Sequence, residues 1–300
     1  MTKTTLWITL AAALTATGVD YGHAGAEEPI TASRFSITID GQPVAGVVNA
    51  SGAAITTKPT TRIATLAAIT HEPLNVEVGM GMGQELWDWV KASIDKGHVA
   101  RDLTIQDNDS VRAPLLAGAG IAAFTVPALD GTSKDAGYFT LTIQPEAVRF
   151  VAVEPAAVAA PPQKTWLASN FRFELAGLPS KRVRKVDSFT WKQTLVHDED
   201  GHLRLLHKKP APLAIHRLVV TIPAADGAAW RKWHKRFAAA DDKDALEKTG
   251  SLILLGPDMR EALATIDLKG VGVRSIEPVE AAKGTPYLKI ELYVETISLS

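Results

Sequence analysis

Apolar and polar positions alternate along several stretches of the chain, and the stretches end at turn residues. Phe35–Gly41 (FSITIDG) and Phe171–Gly177 (FRFELAG) set apolar residues at every second position and finish on Gly. Such alternation marks a strand with one buried face. Leu74–Val78 (LNVEV) and Leu218–Ile222 (LVVTI) read as two further strands. After each of these the period lengthens. Beyond the turn Gly79–Gly83, the residues Leu86, Val90 and Ile94 recur at helical spacing, flanked by Trp87 and Trp89, and predict a helix over Gln84–Lys96. Beyond Pro223–Gly227, Trp230, Trp233 and Phe237 predict a second helix, from an N-cap at Asp226 to about Ala240.

The same landmarks occur twice in one order. Tyr138–Val148 lies on Tyr287–Ile297 without a gap, Tyr on Tyr and Glu146 on Glu295. The spacing between matched segments grows from 136 to 144 to 149 residues, as small loop insertions in the second copy would produce. Three matches in one order predict a tandem duplication. Glu154–Gln163 (EPAAVAAPPQ) reads as a linker, because its prolines cannot continue a central strand. The expected organisation is a targeting segment over 1–26, a first unit over 31–153, a Pro/Ala linker over 154–164 and a second unit over 165–300. The expected class is α+β and β-rich: two tandem small β-barrel or sandwich units, each with one packed helix.

The N-terminus has the layout of an export signal. Lys3 supplies a positive start, Leu6–Ala13 an apolar run, and Ala24-Gly25-Ala26 a small-x-small cleavage motif. The alternative is an uncleaved anchor, but the run is short for a bilayer and meets Asp20, Tyr21 and His23. The expected location is periplasmic or extracellular after cleavage near Ala26, with no membrane span in the mature chain.

Composition narrows the chemistry. With no cysteine in the chain, disulfides, thiolate catalysis and Cys-type zinc sites are excluded. A formal net charge of −1 argues against nucleic acid as a partner. No G-x-S-x-G elbow is present, and Gly79-Met80-Gly81-Met82-Gly83 lacks the Gly-Lys-Ser/Thr ending of a phosphate loop. No catalytic set can be nominated, so neither an enzyme nor a cofactor is expected. His197, His202 and His207, with Asp198, Glu199 and Asp200 among them, are the weak candidates for a metal site. The competing reading is the polar tip of a hairpin turning at Asp200-Gly201, between strands Trp191–Val196 and His202–Leu206. Lys181, Arg182, Arg184 and Lys185 form a basic run, and Arg231 and Lys235 extend basic character along the second helix. They suit contacts to an anionic ligand, to a neighbouring subunit, or to solvent at a strand edge.

The order of strand, Gly, strand, long hairpin, strand, Trp-bearing helix and three more strands resembles the tail-tube proteins of contractile phages and the related tube protein of type VI secretion. LWDWVKASIDKG and YLKIELYVETISL carry the resemblance, and both halves fit the outline. It implies a small β-barrel with a packed helix and assembly into six-membered rings that stack as a hollow tube. Two such units per chain imply that three chains complete a six-unit ring, with other tube or envelope components as partners. Tail-tube proteins are made in the cytoplasm, whereas this chain begins with an export-type segment. The alternative function is an envelope or extracellular module that binds an anionic ligand or glycan.

Overall fold

The computed structural model describes residues 30–31, 35–44, 47–52, 55–57, 69–107, 111–154, 166–197, 202–205, 215–280, 284 and 286–300. The export-type segment, the linker beyond Glu154, the Asp198–Gly201 turn and His207 lie outside the described residues.

The first strands are β1 (Ile30–Thr31), β2 (Phe35–Ile39), β3 (Gln42–Val44), β4 (Val47–Gly52), β5 (Ile55–Thr57), β6 (Ile69–His71) and β7 (Leu74–Val78). Helix α1 (Gln84–Lys96) follows, then β8 (Arg101–Asp107), β9 (Arg112–Val126), β10 (Leu129–Asp130), β11 (Phe139–Gln144) and β12 (Ala147–Ala152). Beyond residue 165 come β13 (Phe171–Leu175), β14 (Lys185–Val186), β15 (Phe189–Lys192), β16 (Leu195–His197), β17 (Leu203–Leu205) and β18 (Ile215–Pro223). Helix α2 (Gly227–Ala239), β19 (Lys248–Leu255), β20 (Ala262–Glu280) and β21 (Pro286–Leu299) complete the chain. The fold is α+β and β-rich, with alternating burial along β7, β11 and β13.

Two large antiparallel sheets hold most of these strands. The first runs β1-β4-β7-β11-β9-β8-β2-β3, with β12 and β15 also paired to β9. The second runs β10-β14-β18-β21-β20-β19-β13. Within them, β4-β7-β11-β9-β8-β2 and β14-β18-β21-β20-β19-β13 follow the same order. Registers match as well: Leu74 faces Ile143 as Leu218 faces Leu292, and Val78 faces Phe139 as Ile222 faces Leu288.

The irregularities also coincide. Against β11, β9 skips Ala122, and against β21, β20 skips Arg274. A second shift falls between Arg101 and Leu103 in the β8–β9 ladder and between Lys248 and Gly250 in the β19–β20 ladder. Gly118 and Gly270 stand at that second bulge with φ of 58° and 62°. A β-carbon there would adopt a strained left-handed conformation. It would also lie 2.4 Å from Glu146 at Gly118 and 2.6 Å from Glu295 at Gly270.

Helix α1 buries Leu86, Trp89, Val90 and Ser93, so its inner face centres on Trp89, and Ile94 is only half buried. The Trp89 indole donates to Val99 O at 2.7 Å. Helix α2 buries Gly227, Trp230, Trp233 and Phe237, and the Trp233 indole donates to Leu246 O at 2.9 Å. Asp226 does not cap α2 through its side chain. A 3-10 turn over Ala224–Asp226 runs directly into the helix, leaving Asp226 at ψ −5° instead of the extended conformation a capping residue needs. Its carboxylate binds Arg182 instead. The two sheets and two helices share one hydrophobic core.

Candidate functional site: the junction between the sheets

The sheets meet through backbone pairing. β15 belongs to the second half of the chain, yet it pairs with β9: Phe189 faces Val126, Thr190 faces Thr125, Trp191 faces Phe124 and Lys192 faces Ala123. In return β10 extends the second sheet, with Leu129 facing Val186 and Asp130 facing Lys185. Both ladders keep one alignment of 123–130 against 185–192, interrupted at the bends 127–128 and 187–188. The expected single strand Trp191–Val196 is split at Gln193-Thr194, because its first part joins this junction and the rest forms the β16–β17 hairpin.

Side chains reinforce the ladder. Phe124 and Trp191 retain 1% and 7% of their exposure. Thr125 and Thr190 hydroxyls are 2.9 Å apart, Ser188 Oγ donates to Val126 O at 2.8 Å, and Gln193 N donates to Ala122 O at 2.9 Å. Trp166 stacks on Phe139 with ring centres 5.8 Å apart and planes 13° from parallel. Gly137 lacks a side chain where an added Cβ would lie 2.1 Å from the Trp166 ring. Helix α1 also lies against β21.

Electrostatics at the bends are locally compensated. Asp187 takes Lys185 at 2.8 Å and Lys289 at 3.5 Å. Burial works to raise the Asp187 carboxyl, but these two lysines outweigh it and hold it below the usual carboxylate range. The Arg184 guanidinium lies 5.2 Å from the Tyr287 ring centre and donates to its hydroxyl at 3.0 Å.

The basic residues singled out in the sequence divide among these settings. Lys185 and Arg184 belong to the junction, and Arg182 is tied to Asp226 at the start of α2. Arg231 and Lys235 are exposed on α2. Lys181 and Arg182 line a groove of about 910 Å³ that also holds Glu174, Asp226, Asp267 and Lys269. Its acidic and basic residues oppose each other, so it has no single sign with which to attract an anion. His202 Nδ1 lies 2.6 Å from Glu146 Oε1. The side chains of His197 and His207 fall outside the described residues, and among the described residues no three metal-type ligands converge. The junction itself escaped sequence reasoning. Alternation in Phe189–Lys192 is compatible with pairing to any antiparallel neighbour, and nothing in the local sequence marks Phe124 as the residue opposite Trp191.

No family model matches the chain, and no curated protein matches it. Among solved structures, the sheath–tube complex of an extracellular contractile injection system (PVC) in the extended state is 20% identical, covering 43% of this chain and 95% of that one at a TM-score of 0.33. The tube-terminating cap of the anti-feeding prophage is 18% identical, covering 44% and 97% at a TM-score of 0.33. The sheath/tube terminator of the PVC injection system is 21% identical, covering 43% and 100%, also at a TM-score of 0.33. At this TM-score the likeness carries no assignment of function. Among the described residues no helix is long and apolar enough to cross a membrane.

Proposed function

We propose that this chain is an exported structural protein: a tandem duplication of one tube-type unit whose copies close head to tail into a ring of three chains and six units. One observation carries the duplication. The matched orders of the two sheets share their registers, both bulges and the Trp-to-carbonyl bond of each helix. Unrelated sheets have no physical reason to bulge at corresponding residues beside a left-handed Gly and a facing Glu.

The junction supports the head-to-tail part. Two similar units that meet through unlike edges form a heterologous contact, and such contacts either close into rings or run on as filaments. Within one chain this contact already joins the first unit to the second. Its repetition between chains would add two units per chain, so three chains would supply the six units that the tube-like outline calls for. The export-type segment 1–26 would deliver the subunit to the periplasm or the exterior.

Native mass measurement on residues 27–300 tests this reading. The expected species is a trimer, and a strict monomer at high concentration overturns it.

A further inference from the structure

We infer that the outer edge of β20 at Arg274–Val279 receives the β4–β5 edge of a second copy of this chain. This rests on the head-to-tail reading above and names the strands that would close the ring. Along β9, residues Ala123–Thr125 have β11 on one edge, and Ala123–Val126 have β15 on the other. The corresponding stretch of β20 is fixed by register, since Phe124 faces Leu141 as Ile276 faces Ile290. It has β21 on one edge, but the β19 ladder stops at Val271. Among the described residues, no strand occupies the other edge beyond that point.

Burial differs in the way an unfilled junction requires. Phe124 and Val126 are buried, whereas Ile276 is half exposed, Pro278 is exposed and Val279 is 40% exposed. An open strand edge of this kind is a template for pairing.

The complementary edge lies on β4 and β5. Asn49 and Ala50 face Glu77 and Val76 as Lys185 and Val186 face Thr221 and Val220. Counting onward, Ile55 and Thr56 take the places of Trp191 and Lys192. β1 covers Asn49 and Ala50, in the place β10 takes on β14, so the interchain ladder starts beyond Gly52. The expected register sets Ser275 opposite Thr56 and Ile276 opposite Ile55. Pro278 withholds one backbone donor from this ladder, which leaves it one hydrogen bond poorer than the intrachain one.

A second contact repeats with the first. Since α1 lies against β21, the same step between chains sets α2 against the β11–β12 pair of the next copy. There Phe150 is 58% exposed, in the place where Leu299 on β21 is 2% exposed.

The chain has no cysteine, so introduced pairs report cleanly. Ser275→Cys and Thr56→Cys variants, made singly, mixed and oxidised mildly, should yield covalent dimers. The double variant should yield covalent trimers. Ala123→Cys with Lys192→Cys is the positive control and should link within one chain, because those residues already face each other. A native trimer that forms no 275–56 link, while the 123–192 control links, overturns this inference and leaves the ring intact. A native monomer overturns the ring, and this inference with it.

Discussion

Trp191, on β15 in the second half of the chain, lies opposite Phe124, on β9 in the first half. Both are buried, so the two segments are welded by backbone pairing and apolar contact together. Replacing Trp191 with Ala removes one side of that contact. Large-to-small changes of this type cost about 3–5 kcal/mol. Urea unfolding should show a loss of that order, and Trp191→Phe should recover most of it.

The indole bonds of Trp89 and Trp233 provide a matched pair of tests. Each donates to a carbonyl in the segment after its helix, Val99 and Leu246. Trp→Phe keeps an aromatic ring but leaves that carbonyl without its donor, at a cost of about 1–3 kcal/mol. Trp89→Phe and Trp233→Phe should destabilise by similar amounts in denaturant titrations, because the two indoles make corresponding bonds. A loss at one site alone would count against the duplication.

Gly118→Ala and Gly270→Ala should each destabilise the fold. The left-handed backbone costs a non-glycine residue about 1–2 kcal/mol, and the facing Glu146 or Glu295 must move as well. Gly41→Ala is the comparison. It shares a positive φ of 80° but meets nothing within 4 Å, so its melting temperature should fall less.

Asp187 predicts an acid response. Its folded pKa is depressed by Lys185 and Lys289 against the opposing effect of burial. Its contribution is therefore complete above the ordinary aspartate value of about 4 and is lost as pH falls through the lower folded value. Unfolding titrations at decreasing pH should show that loss, and Asp187→Asn should flatten the acid limb. An unchanged slope in the variant would remove Asp187 from the account.

The matched order of strands and helices in the two halves was legible in the sequence because it follows period and spacing. FSITI and FRFEL became β2 and β13, and the gapless Tyr138–Val148 match foretold the equal registers of β11 and β21. Helix α1 was legible from Leu86, Val90 and Ile94 at helical spacing, and helix α2 from Trp230, Trp233 and Phe237. The cap at Asp226 was misread because the spacing cannot show the 3-10 turn that precedes α2. The junction was hidden for a different reason. Phe189–Lys192 alternates like any strand, and which edge it joins depends on long-range geometry that local period does not encode. The basic run suited an anionic ligand, a neighbouring subunit or solvent at a strand edge, and the structure gives Arg182, Arg184 and Lys185 each a partner within the chain.

Projection images of the assembled mature protein test the central claim most directly. The account predicts rings with an open centre and six similar lobes contributed by three chains. Particles without a central opening, or with two-fold symmetry only, would contradict it.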